Sequence, residues 1–206
     1  MSQSTRRSVI VGLAAIVLSV PAPAGAAPPP GHPPGAGPVP AAIAGPAGPA
    51  GPDERDRPAR HDARYLRAAH QANMAGIEAG QLAGTKDVAP QLADLGAQFV
   101  ADNTQLDAEL RRTAAAVGVE LPTKPNRDQQ VVLGRLRDAD GDRFERLFVA
   151  SEASAHKRAI RRNETELDRG TEPEAKQYAQ ESTPILQTHY DDLRALAAEL
   201  GLPRPG

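Results

Sequence analysis

The chain has 206 residues and a formal charge of −2, with no Trp, no Cys, three Phe and three Tyr. Its core must come from Leu, Val, Ile and Ala, which suits close helix packing better than a sheet rich in aromatic and β-branched residues. The absence of Cys excludes disulfides, thiolate metal sites, a Cys nucleophile and a lipid-modified Cys, and the small, unpatterned charge argues against nucleic acid as a partner.

Residues 1–26 read as a signal peptide. Arg6 and Arg7 precede an apolar run at 9–20, shorter than the roughly 20 residues a spanning helix needs. Ala24-Gly25-Ala26 then offers a small-x-small cleavage pattern, so the mature chain is expected to start at Ala27. Removal takes away two Arg and no acid, moving the formal charge from −2 to −4. Thr5-Arg6-Arg7-Ser8-Val9-Ile10 resembles a twin-arginine motif; that route and the general one both stay open. The expectation is an exported protein, periplasmic, envelope-associated or secreted, without a transmembrane anchor in the mature chain.

Residues 27–60 hold eleven Pro and six Gly, half of the segment, and are expected to form a disordered, semi-extended spacer. Three Ala-Gly-Pro triplets at 44–52 are too few for a collagen-like triple helix. From Asp62 the pattern turns helical, and 61–201 is expected to form one domain with a short tail at 202–206.

The first helix is expected over 63–84, with Leu66, Ala69, Asn73, Ile77 and Gly80 on one stripe. The second, capped by Asp87, covers 88–117 through Leu92, Leu95, Phe99, Leu106 and Leu110, and Gly118 ends it. Pro122 and Pro125 break the chain, and Asn126 with Gln129 makes a capping box for a short helix to Arg137. Asp142 with Glu145 opens a long helix ending at Gly170. Thr171 with Glu174, and Pro173 in the first turn, open the last, which runs to Leu200. Four long helices with a short extra helix between the second and third predict an all-α, ferritin-like four-helix bundle.

Known motifs mostly fail. Asp138-x-Asp140-x-Asp142 has the opening of an EF-hand loop, but Arg143 and Val149 stand where Gly and a bidentate Glu are needed. No Walker loop, dinucleotide fingerprint, nucleophile elbow, His-Glu-x-x-His or di-iron Glu-x-x-His is present. No catalytic residue and no cofactor is assigned.

The informative residues are polar groups on apolar stripes. Asp102 and Asn103 fall three and four residues after Phe99, and His189 lies between Leu186 and Leu193. Phe148, Glu152, His156, Ile160 and Glu164 form an i, i+4 column, and Glu78 lies between Met74 and Leu82. Buried charge is costly unless paired or metal-bound, so four helices offering such groups predict a shared polar layer. It reads either as internal pairs, such as Asp102 with His189, or as a metal site of Glu78, Asp102, Glu152, His156 and His189. Spacing limits the second reading: His70 and Glu78, His156 and Glu164, and Glu181 and His189 are each eight residues apart, about 12 Å along a helix.

Over 62–201 the chain resembles the exported bacterial family called domain of unknown function 4142. The pieces run in order: Tyr65-Leu66 through Gly76-Ile77-Glu78-Ala79-Gly80-Gln81-Leu82-Ala83, Phe99-Val100-Ala101-Asp102-Asn103-Thr104, and Gly118-Val119-Glu120-Leu121-Pro122. Gly141-Asp142-Arg143-Phe144-Glu145 with His156, and Thr183-Pro184-Ile185-Leu186 with His189, complete the set. The resemblance implies a ferritin-like bundle and an envelope location, and brings no settled activity. Asn103 stands where the family has His and Glu145 where it has Asp, so a family metal site would lose a donor here. The expected function is an exported cell-envelope or extracellular binding or structural module with a buried polar layer. The alternative is a metal-binding protein for storage or redox chemistry.

Overall fold

The structure, a computed structural model, describes residues 59–205. The expected signal peptide, and the spacer up to residue 58, lie outside the described residues. Five helices follow: α1 (Arg60–Ala83), α2 (Pro90–Ala116), α3 (Arg127–Arg137), α4 (Gly141–Arg169) and α5 (Pro173–Glu199). All five were legible, and the described residues contain no strand.

The ends show where local signals were enough. Asn126 and Gln129 form the expected capping box, with Gln129 N donating to Asn126 Oδ1 at 3.0 Å and Asn126 N to Gln129 Oε1 at 2.8 Å. Gly118 takes φ +67°, which lets Val119 N donate to Ala114 O at 2.8 Å and closes α2 with a Schellman turn. Three other starts differ from expectation. Asp87 does not cap α2; Ala89 is the cap, and its amide donates to Glu145 Oε1 of α4 at 2.7 Å. That bond draws Glu145 away from the start of its own helix, which makes no side-chain cap. Thr171 does not cap α5 either, because its amide and hydroxyl donate to Asp62 at 2.9 and 2.8 Å.

Two apolar clusters give the topology. One joins the C-terminal ends of α1 and α5 to the N-terminal ends of α2 and α4, through Ala83, Leu196, Leu92 and Phe144, with Leu133 and Leu136 of α3. The other joins the opposite ends of α1, α2 and α5 through Leu66, Leu110 and Tyr178. Thus α1 and α2 are antiparallel, α4 and α5 are antiparallel, and α2 and α4 run parallel. Each long helix has two main neighbours, α1 beside α2 and α4, and α5 beside the same two, which leaves α2 and α4 across the diagonal. The connection 117–140 must therefore return the length of the bundle, as in ferritin-like folds. The outer face of α1 holds it: Arg67 Nε, His70 Nε2 and Gln71 Nε2 reach the carbonyls of Glu120, Pro122 and Lys124 at 2.9, 2.9 and 3.2 Å.

α1 and α2 approach closely where two glycines face each other. A Cβ at Gly80 would lie 2.4 Å from Gly96 O, and one at Gly96 would lie 2.7 Å from Ala83 Cβ. Gly80→Ala or Gly96→Ala must therefore push the helices apart, with an expected loss of roughly 1–3 kcal/mol. Urea unfolding of each variant measures it; an unchanged midpoint would contradict the backbone contact.

Within residues 59–205 the two clusters join all five helices through buried apolar side chains. Residues 59–205 expressed alone should accordingly be helical and unfold in one cooperative transition followed by circular dichroism. A broad, non-cooperative melt would show that the preceding segment contributes to the fold.

Candidate functional site

Midway along the bundle, three side chains from three helices form a hydrogen-bonded chain. His156 Nδ1 lies 2.8 Å from Glu152 O, and His156 Nε2 lies 3.1 Å from His189 Nδ1. His189 Nε2 lies 2.8 Å from Asp102 Oδ2. Both imidazoles are buried, while the Asp102 side chain is 36% exposed and opens the chain to solvent. Phe99, one turn before Asp102, packs against both rings, with centroids 4.9 Å from His156 and 4.5 Å from His189.

Donors and acceptors decide the tautomers. A carbonyl only accepts, so His156 carries its proton on Nδ1 and presents the Nε2 lone pair. Burial, with neighbouring His189, pushes the His156 pKa down to about 4, which keeps this ring neutral. His189 must then donate from Nδ1. Its Nε2 contact with Asp102 requires one further proton, held by either partner: an imidazolium facing a carboxylate, or a carboxylic acid donating to a neutral ring.

The five expected ligands separate into groups. Asp102, His156 and His189 come together as described. Glu152 contributes its backbone carbonyl; its carboxyl, 4.0 Å from His156 Nδ1, is pushed up to about 7 by burial. Glu78 does not join the layer, because it forms an ion pair with Arg137 of α3 on the bundle surface. Asn103, rather than Asp102, turns fully inward and donates to Phe99 O at 2.9 Å.

The column on α4 also changes course. Ile160 is half-buried and Glu164 exposed, and Asn163 and Glu166 take the buried path instead. Steps of four advance about 400° around a helix, so an i, i+4 column drifts off the buried face after two or three steps. Asn163 thereby accepts from Tyr65 OH at 2.9 Å and donates to Ser182 Oγ at 2.9 Å. Asn73 donates to Tyr178 OH at 3.1 Å, and His70 Nδ1 meets Asp107 Oδ1 at 2.5 Å. The stripe placement of Asn73 was legible; these pairings join residues 19 to 105 positions apart and had no local signal.

Glu166, fully buried, lies at the end of α4 beside Asp62 and 3.1 Å from His61 Nε2, and neither of its carboxyl oxygens has a hydrogen-bond partner among the described residues. Burial and then Asp62 push it up to about 8. Burial opposes the ionised form of Asp62 as well, but the bonds from Thr171 outweigh it and hold its pKa below the usual value. The folded state keeps Glu166 protonated to about pH 8, whereas the unfolded chain ionises it above about pH 4.3. Its contribution to stability is complete below the lower value and is lost as pH rises to the higher one. Glu166→Gln should remove that loss, gaining on the wild type at pH 8 and not at pH 4; equal pH slopes for the two proteins would contradict it.

The Asp102–His189 contact is testable in the same way. His189→Leu strips His156 Nε2 of its donor and Asp102 of its partner, and the half-exposed carboxylate can rehydrate. The expected loss is about 1.5–3 kcal/mol, as for hydrogen bonds to charged groups. In a double-mutant cycle, Asp102→Asn should cost less in the His189→Leu background than alone. Additive losses would mean that the two residues are not coupled.

No curated protein matches the chain. Among solved structures, a DUF305 protein of Streptomyces coelicolor described as secreted aligns at a TM-score of 0.60 and 12% identity, covering 71% of this chain and 96% of its own. A DUF305 fragment from Deinococcus radiodurans aligns at 0.58 and 14% identity, covering 70% and 98%. CopM in its Cu(I)-bound form aligns at 0.57 and 14%, covering 68% and 96%. At these identities the likeness is one of fold, and it agrees with an all-α bundle. Among the described residues no helix is long and apolar enough to cross a membrane. A family profile covers residues 47–196, nearly three quarters of the chain, and on that match the chain belongs to the family of domains of unknown function DUF4142.

Proposed function

We propose that the chain is an exported helical module that binds one transition-metal ion between His156 and His189. Export is supported by the charged, apolar and small-residue pattern of residues 1–26, and by a fold relative described as secreted. The Pro/Gly segment, expected over 27–60 but ending before α1 opens at Arg60, is read as a disordered spacer that holds the module away from a surface.

The observation that carries the metal reading is the orientation of the two rings. Their facing nitrogens are 3.1 Å apart, while each far nitrogen is held by an oxygen, Glu152 O for one and Asp102 Oδ2 for the other. Carbonyl and carboxylate partners on the far nitrogen are what metal-binding histidines commonly have. Two nitrogens each about 2.0–2.1 Å from one ion sit roughly 3.0–3.4 Å apart at right-angle to tetrahedral geometry. Imidazole donors favour copper, zinc or nickel over calcium or magnesium. No three His, Cys, Asp or Glu side chains gather as a ligand set among the described residues, so the protein donors are the two imidazoles. Bent geometry leaves further positions on the ion for donors from outside the chain, and a fold relative described in a Cu(I)-bound form makes copper the first ion to try.

Binding must displace the proton between the rings, so affinity falls with pH. Anaerobic titration with Cu(I) should saturate at one equivalent, raise the melting temperature, and be reversed by chelator. His156→Gln and His189→Gln should each abolish the response. A second reading is favoured by the completeness of the chain: both rings satisfy all their nitrogens with no ion present, as a polar element that sets helix register would. A melting temperature indifferent to copper, zinc and chelator would leave that structural reading and end the metal one.

A further inference from the structure

The face of α4 next to the histidines borders a second feature. A groove of about 760 Å³ runs between α1, α3 and α4, within the usual roughly 300–1,000 Å³ of small-molecule sites. Its two ends differ in chemistry. Toward the start of α4 the wall is aliphatic, formed by Ala75 of α1, Val132 and Leu133 of α3, and Leu147. Farther along α4 it is lined by Arg158 and Arg162. Leu147 and Arg158 are eleven residues apart, about 16 Å along the helix.

The polar end is under-satisfied. Neither Arg158 nor Arg162 has a carboxylate within ion-pair distance among the described residues. Arg162, half-buried, is held below its usual pKa by burial and by neighbouring Arg158, and its one polar contact is Ala68 O at 3.4 Å. Arg158 leans back onto Ser154 Oγ at 2.6 Å, toward Glu152. The Glu152 side chain lines the groove, is only 8% exposed, and has no hydrogen-bond partner for its carboxyl among the described residues. Two guanidinium groups without carboxylate partners, at the end of an aliphatic wall, can neutralise and hydrogen-bond an incoming anion.

We propose that this groove binds a small amphipathic anion, an aliphatic chain ending in a carboxylate. The chain lies along Val132, Leu133 and Leu147, and the carboxylate meets Arg158 and Arg162. Asp128, Glu152 and Arg135 complete the charged groups lining the groove, and three arginines against two acids leave its balance in favour of an anion. The site is separate from the histidine pair and does not rest on the metal reading.

Calorimetric titration of the purified chain with octanoate, in chelator so that no metal intervenes, tests it. Octanoate should bind saturably at one site, with acetate and octanol each at least about tenfold weaker, since each lacks one half of the ligand. Arg158→Gln with Arg162→Gln should weaken octanoate by about tenfold and leave octanol unchanged. Both positions are at the groove surface, and circular dichroism and the melting temperature check that the double variant is folded. No saturable octanoate binding, or octanoate binding untouched by the arginine changes, would overturn the proposal. Acetate binding as tightly as octanoate would also overturn it, because the aliphatic wall would then contribute nothing.

Discussion

Four imidazole nitrogens buried at mid-bundle must all find partners, and the helices around them are arranged so that they do. A buried polar atom left unpaired costs about 1–3 kcal/mol, a large share of the stability of a domain this size. The chain from Glu152 O through His156 and His189 to Asp102 avoids that cost only if α2, α4 and α5 hold one register. A slip of one helical residue would move a ring by about 1.5 Å and turn it by about 100°. Phe99 adds a steric constraint, since it fills the space against both rings from the same turn of α2 that carries Asp102. On the far side Asn103 packs against Gly76, where a Cβ would sit 2.8 Å from its amide nitrogen, so α1 approaches closely as well.

This polar layer divides the interior. On one side lie all three phenylalanines, with Phe148 stacked 6.0 Å from Phe99 and 5.8 Å from Phe144. On the other side two of the three tyrosines meet edge to face at 6.4 Å, and their hydroxyls are tied to Asn163 and Asn73. A chain with so few aromatics places five of its six in these two positions, and their polar tips face the middle. Between them is a cavity of about 30 Å³ lined by Asn73, Asn103, His156, Asn163 and Ser182. That is room for one or two waters among groups able to bond them.

The same arrangement bears on function through proton count. Without a metal the two rings need a proton between them; an ion held by both would require that proton to leave and both lone pairs to face it. The register device and the proposed metal site are thus two states of one pair of side chains, differing by a proton. Glu152 links this pair to the neighbouring groove, because its carbonyl serves His156 while its side chain lines the groove. The other buried acids have roles of their own: Asp62 ties α1 to the turn before α5, and Glu166 beside it keeps its proton.

Helix number, helix order, the capping box at Asn126, the turn at Gly118, and the presence of Asp102, His156 and His189 on or beside apolar stripes were all legible. Each depends on spacing within a few residues, where helical periodicity and backbone hydrogen bonding act directly. What remained hidden was decided at a distance. Glu145 caps a helix 56 residues before it, Asp62 takes the hydroxyl of Thr171 from across 109, and Glu78 leaves the layer for Arg137, 59 residues on. The sequence by itself determined which residues face inward along each helix, because 3.6 residues per turn is a local property. Only the tertiary structure decided which of them meet, because rotation, depth and crossing of packed helices turn a stripe of candidates into three whose side chains join and two whose side chains do not.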